Sequence, residues 1–281
     1  MLPLQRQFGL NIDFIDPEAL QAIVPGIDSD GLLGGTFSPD DGSASPLLAS
    51  NAFARKALEN GARFQFNEAV NTLLVENRRI VGVETDKGRY RAPVVVDAAG
   101  AYSGPLCRTA GVVLPVTPDS HEGAITEPVA RMFSCMVVDL RPGPGSKNYY
   151  FYQNVHGQVV FCITPDPPIV GTDTRETSVF LPQVAARMVA LIPRLKALRV
   201  RRVWRGRYPM SPDGSPIVGW SPTVEGLFHA TGMCGQGFML GPGMGELAAR
   251  MITGSESRQD NDAIAIFSPA RQFSEDHEAL K

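Results

Sequence analysis

Long apolar runs are missing from this sequence. The longest, such as Ala92–Ala99, fall far short of the roughly 20 residues a membrane-spanning helix needs. An excess of one charge is missing too. A net charge of −3 over 281 residues leaves no broad basic surface for nucleic acid or anionic lipid. Cysteine is scarce: Cys107, Cys135, Cys162 and Cys234 form no CxxC pair. The four histidines, His121, His156, His229 and His277, are scattered, so nothing has metal-ligand spacing and no metal site is expected. The thiols read as buried and reduced, as in a cytoplasmic protein. Residues 1–20 lack a signal-peptide pattern. Repeats and low-complexity tracts are absent. The opening MLPLQRQFGLNIDFIDPEAL reads like the middle of a domain.

What is present suits a globular chain. Apolar residues make up 43%, with length for one large domain or two interleaved ones. The polar stretch 36–46 ends at Pro46, suited to a first helical turn. LLASNAFARKALENGA has helical spacing and a capping Gly61. RFQFNEAV through VVVDAAG alternates, with turn signals at Glu76–Arg79 and Asp86–Gly88, and predicts a meander. The β-branched run Val94–Val96 predicts a strand buried on both faces. Residues 114–211 read as a mostly antiparallel sheet plus one helix, interrupted near Pro193. The order predicts two domains built from discontinuous pieces: 1–40 with 114–211, and 41–113 with 212–270, leaving 271–281 as a tail.

Three segments carry chemistry. GLFHATGMCGQGFMLGPGMGELAAR, 226–250, is a strand, a glycine-dense loop and a helix. Free amides at such a helix start favour an anion or developing negative charge, and glycines admit a flat ligand. A tight loop needing glycine for packing alone is the plainer reading, and GQGFMLGPG is not GxGxxG. VVVDAAGAYSG, 94–104, ends a strand in small residues that leave room at a sheet crevice; it is equally a plain strand-to-helix turn. SPDGSPIVG, 211–219, by itself is a turn before a strand.

Together, and in this order, these pieces resemble the FAD-dependent amine and amino-acid oxidoreductases: the group of D-amino-acid oxidase, glycine oxidase, sarcosine oxidase and dimethylglycine dehydrogenase. SPDDGSASP, GARFQFNEAV, HEGAITEPV, RGRYPMSPDGSPIVG and GMCGQGFMLGPGMGE carry the likeness over nearly the whole chain. The resemblance implies an incomplete, Rossmann-like α/β FAD domain (41–113, 212–270) interleaved with an α+β substrate domain on a mostly antiparallel sheet. It implies FAD, oxidation of a C–N bond to an imine, and a small amino acid or a secondary or N-methylated amine as substrate. It places the Val70 backbone at the adenine, Ala99 and Gly100 near the dinucleotide, and Gly235, Gln236, Gly237, Phe238 and Met239 along the flavin. In that group the helix start faces the flavin edge where charge collects on reduction.

The departures matter as much. The family's N-terminal strand–GxGxxG–helix unit, which holds the pyrophosphate, has no counterpart in the sequence. Either the chain is a fragment or a second polypeptide supplies that unit. Gly206 stands where some sarcosine oxidases attach flavin through cysteine, so FAD is expected to be non-covalent. Met239 replaces a lysine that helps hold the substrate carboxylate, and Gln236 replaces a frequent histidine. Arg205 and Arg207 are candidates for the carboxylate, or plain surface arginines. Tyr150 and Tyr152 share a strand face, as pocket wall or as core. His121 faces the flavin or is a satisfied structural histidine. No general base is needed if the amine arrives neutral. A non-catalytic fragment and a subunit of a multi-chain amine dehydrogenase are the other readings.

Overall fold

The strands form four sheets, one of which contains a parallel pair. The computed structural model describes residues 1–274; of the expected tail, 275–281 lie outside the described residues. The chain opens with α1 (Leu2–Gln7), β1 (Asp13–Ile15), α2 (Pro17–Ile23), β2 (Gly35–Phe37) and α3 (Pro46–Glu59). The meander follows: β3 (Val70–Glu76), β4 (Arg79–Thr85) and β5 (Arg89–Arg91), then β6 (Val95–Asp97) and α4 (Ser103–Arg108). Next come β7 (Thr117–Pro128), β8 (Val137–Asp139), β9 (Ser146–Gln153), β10 (Gln158–Pro165) and α5 (Phe180–Leu191). The chain closes with β11 (Val200–Met210), β12 (Ile217–Trp220), β13 (Leu227–Thr231), α6 (Gly237–Thr253) and α7 (Asn261–Phe267).

Two compact units result. The first holds 1–45, 121–169 and 174–206; the second holds 46–120, 170–173 and 207 onward. The sequence put cuts at 40, 113 and 211; the units divide at 45, 120 and 206, with 170–173 in the second.

The first unit is built on a five-stranded sheet, ordered β11-β7-β10-β9-β8. Its core face aligns Ala124 with Phe161 and Phe161 with Phe151, all buried. Helix α5 contributes Phe180, Val184 and Met188 to that core. It ends where expected: the residue before Pro193 is pushed out of helical geometry, and Ile192 is extended at φ −134 and ψ 91.

The second unit holds two three-stranded sheets. In one, β3, β4 and β5 pair antiparallel. Gly82 is obligatory there: its φ is 151, and a Cβ would collide with the Tyr90 carbonyl. The other runs β12-β13-β6, antiparallel at β12–β13 and parallel at β13–β6. Helix α6 covers it through Leu247, Ala248 and Met251, packed with Val218 and Phe228. Two expectations need correction. Val96 is 44% exposed, so β6 is not buried on both faces. The assigned tail also starts too early. Arg271 donates to Asp213 at 2.8 and 2.9 Å, and Phe273 packs against the core of the second unit.

Candidate functional site

A parallel strand pair opens its carboxyl ends on one side, which is where open α/β sheets bind ligands. In the second unit, Leu227, Phe228 and His229 align with Val95, Val96 and Asp97. The loops after β6 and β13 therefore emerge together. One is the Ala99–Gly100 turn; the other is the glycine loop from Gly232. Thr231 ties them: its hydroxyl lies 3.4 Å from the Gly100 carbonyl and 2.9 Å from the Ser103 hydroxyl.

Beneath the turn lies a buried polar network that the sequence did not announce. The Asp97 carboxylate accepts from the Ala99 amide (3.1 Å), the Ser103 hydroxyl (2.9 Å) and the Cys107 thiol (3.2 Å). His229 Nδ1 sits 3.3 Å from its other oxygen. Burial pushes the Asp97 carboxyl up, but the donors at His229, Ala99, Ser103 and Cys107 together hold it below its usual range. Burial first, and then the Asp97 charge, push the Cys107 thiol far up. Three of these side chains, Asp97, Cys107 and His229, converge, but hydrogen bonding accounts for the cluster. One signal was legible: Ser103 and Cys107 are four apart, on one face of α4. The partners 97 and 229 could be joined only by the strand pairing.

The glycine loop is anchored from β11. Cys234 has φ +49 and donates its amide to the Pro209 carbonyl at 3.2 Å. Its thiol is buried, 3.6 Å from the Ser211 hydroxyl. A Cβ on Gly235 would meet the Tyr208 ring at 3.0 Å, a tight approach. Then α6 begins at Gly237, with no side chain capping it. The amides of Gly237, Phe238 and Met239 have no intrahelical acceptor at that end. Phe238 is 50% and Met239 70% exposed. Further along, Cβ atoms on Gly241, Gly243 and Gly245 would meet nothing within 4 Å. No described neighbour calls for glycine there, although each costs a helix about 1 kcal/mol against alanine. Such a bare, uncapped start fits a flat anionic cofactor approaching from outside the chain.

A groove of about 750 Å³ lies in the same unit, lined by Val70, Asn71, Val95, Val96, Ala99, Tyr102 and others. It brings Val70 and Ala99 together as the walls of one cleft. Arg207 is engaged: its guanidinium donates to the Tyr102 hydroxyl and lies 5.0 Å from that ring's centroid. Arg205, in the first unit, donates to the Arg175 carbonyl at 3.1 Å. Also in the first unit, Tyr150 aligns with Cys162, Cys162 with Gly123, and Tyr152 with Val160. Two residues before Gly123, His121 falls on the same face. That face is opposite the one carrying Tyr149 and Phe151. Tyr150 and Tyr152 are half-buried there and His121 is buried. Burial raises the Tyr152 phenol above its usual range.

Known proteins share the sequence pattern and the fold. Residues 2–251 match the family model described as DAO, FAD dependent oxidoreductase. Mitochondrial sarcosine dehydrogenase of Mus musculus is 25% identical over 279 residues, covering 92% of this chain and 29% of that protein. Hydrogen cyanide synthase subunit HcnC of Pseudomonas protegens is 26% identical over 244 residues, covering 86% of this chain and 56% of its own length. Among solved structures, L-proline dehydrogenase from P. horikoshii superposes with a TM-score of 0.87 at 31% identity, covering 96% of this chain and 71% of that one. The chain thus spans well under two thirds of these curated relatives.

Proposed function

The chain belongs to the DAO family of FAD-dependent oxidoreductases, and from that premise we propose that it forms the flavin-ring and substrate part of an amine or amino-acid oxidoreductase. This reading takes a second polypeptide as the partner, since one relative is itself named a subunit. The observation that carries this reading is the uncapped, glycine-bared start of α6 beside the Ala99–Gly100 turn. FAD, when bound, supplies the hydride acceptor for C–N oxidation. The chain's own residues do the rest. The Gly237, Phe238 and Met239 amides and the helix dipole favour negative charge at the ring. Gly235 and Gln236 line it, and Val70, Ala99 and Gly100 wall the adenine side. His121, Tyr150 and Tyr152 form the substrate-side sheet face.

The substrate is a small amino acid or a secondary or N-methylated amine, of the sarcosine, glycine, D-amino-acid or proline type. The names of the sarcosine and L-proline dehydrogenases among its relatives support this class. Arg207 holds a substrate carboxylate only by sharing the guanidinium now donated to Tyr102. Flavin attachment is non-covalent, because Gly206 offers no nucleophile at the position of the family's linkage. The second-polypeptide reading is favoured by a relative that is itself named a subunit. No helix among the described residues is long and apolar enough to cross a membrane, and four free cysteines suit the reducing cytoplasm.

The test is anaerobic flavin bleaching by a panel of amines, with the second polypeptide supplied. Bleaching by the small amino acids is expected, and Arg207→Lys should raise KM about tenfold. No bleaching by any amine overturns the reaction. Equal bleaching by simple amines removes the carboxylate clamp.

A further inference from the structure

Positive charge gathers in one place on the first unit. RLKALRVRR, 194–202, holds five cations and no acid. Of the 26 Lys and Arg, 21 lie elsewhere, with all 29 Asp and Glu, a balance of −8 outside these nine residues. Arg194, Lys196, Arg199, Arg201 and Arg202 are all exposed. Among the described residues, only Arg199 of the five has a carboxylate within ion-pair range. That is Glu127 at 3.9 Å, and the Arg199 side chain stays 82% exposed beside it.

The fold holds these cations in place. After α5, a 3-10 turn at Pro193–Ala197 leads into β11. Leu195 is buried in the core of the unit, and Leu198 and Val203 pack against it. The Leu195 amide donates to the Ile192 carbonyl and the Leu198 amide to the Leu195 carbonyl, both at 3.0 Å. The Glu127 amide donates to the Arg199 carbonyl at 2.9 Å, which fixes the entry to β11. With Leu195 and Leu198 turned inward, Arg194, Lys196 and Arg199 are left to solvent. Along β11, Arg201 shares a face with Val203 and Arg202 takes the other, so guanidinium groups flank the strand on both sides. β11 is the end strand of its sheet. Charged side chains on an end strand discourage unwanted pairing. Three of the five cations, however, precede the strand at Val200, where there is no edge to guard.

We infer that the 194–202 patch docks an acidic segment of a partner protein, a run of Asp and Glu side chains. Four of the five cations are arginine, whose planar fork grips a carboxylate through two hydrogen bonds. Unpaired cations held on a fixed backbone steer an oppositely charged partner and select it against others. Nucleic acid fits less well. The nine residues include no aromatic side chain on which a base could stack, and the negative balance elsewhere repels a long polyanion. A second copy placed patch to patch would set cation against cation. Docking of this kind stands or falls apart from flavin binding.

The test uses the whole chain without flavin and a fluorescein-labelled peptide carrying a run of glutamates. Anisotropy is read at about 0.01 M and about 0.1 M salt, between which the screening length falls from about 30 Å to about 10 Å. Binding is expected at low salt and should weaken about tenfold or more at the higher. Arg201→Glu with Arg202→Glu should abolish it. Arg55→Glu with Arg63→Glu makes the same charge change on exposed arginines of the second unit and should leave most of it. Urea unfolding of both variants checks that they fold, and Arg201→Gln with Arg202→Gln should weaken binding about tenfold without adding negative charge. Equal losses in the two double reversals would reduce the effect to net charge and overturn the site, as would no binding at low salt. Tighter binding of a single-stranded oligonucleotide of equal charge overturns the protein partner. A dimer of the chain alone at low salt, seen by sedimentation and lost in Arg201→Glu with Arg202→Glu, assigns the patch to a second copy and overturns it too.

Discussion

Asp97 is the residue whose replacement says most about this fold. Its carboxylate joins β6, the Ala99 turn, α4 and β13 through four donors, and it is 2% exposed. Asp97→Asn keeps the shape, and Oδ1 still accepts from Ala99 and Ser103. The new amide group instead presents hydrogens to His229 Nδ1 and Cys107. The imidazole proton must then move to Nε2, which is buried without a partner. The variant therefore loses charge-assisted bonds and creates an orphan donor, at a cost of about 2–3 kcal/mol. Asp97→Ala adds a cavity and removes every acceptor, for about 3–5 kcal/mol. Amide exchange by mass spectrometry over peptides 95–107 and 227–231 reads this directly, with no need for two-state unfolding of the whole chain. A loss of 2–3 kcal/mol speeds exchange by roughly 30- to 150-fold.

The pH dependence gives the sign. The folded carboxyl of Asp97 is held below its unfolded range, so its advantage over asparagine is full above about pH 5 and is lost as pH falls through the folded value. The gap between parent and Asp97→Asn should thus be level at neutral pH and shrink in acid. Unchanged exchange in both peptides, or a gap that widens in acid, refutes the reasoning.

Three other outcomes follow from single contacts. Gly82→Ala forces a Cβ into the Tyr90 carbonyl at φ 151 and should destabilise the meander by roughly 3 kcal/mol or more; urea unfolding no worse than for an exposed glycine such as Gly88 would contradict it. Arg271→Ala strands Asp213, whose carboxyl burial pushes up and the Arg271 hydrogen bonds hold down. The loss should be about 1.5–3 kcal/mol in urea titrations near neutrality and fade in acid; a loss growing in acid would be the wrong sign. Gly243→Ala meets no neighbour and should stabilise the chain alone by about 1 kcal/mol through helix propensity; a lower urea midpoint would mean that the space is filled.

Much of this was legible in the sequence because it is local. The meander turns, the Pro193 stop and the strand–glycine–helix order at 226–250 each sit within one short window. The start of α2 was equally legible and was missed: Asp16 caps the Ala19 amide at 2.9 Å, with Pro17 at the first helical position. Other features required folding to bring distant residues together. Asp97 meets His229, and Arg207 meets Tyr102, and no periodicity links such positions. The Val94–Val96 run was read as doubly buried because its composition says so, yet Val96 is 44% exposed. Composition also hides the exposed start of α6, since glycine, phenylalanine and methionine ordinarily signal packing.

The central claim is that the start of α6 and the Ala99–Gly100 turn border a flavin site. Flavin absorbance after purification tests it most directly, for the chain alone and for the chain with a polypeptide carrying the strand–glycine–helix unit. The account predicts little or no bound FAD alone, and stoichiometric FAD with the partner, lost again in Gly237→Leu, where a side chain would enter the ring's space. Submicromolar FAD binding by the chain alone, or unaltered flavin occupancy in Gly237→Leu, would contradict it.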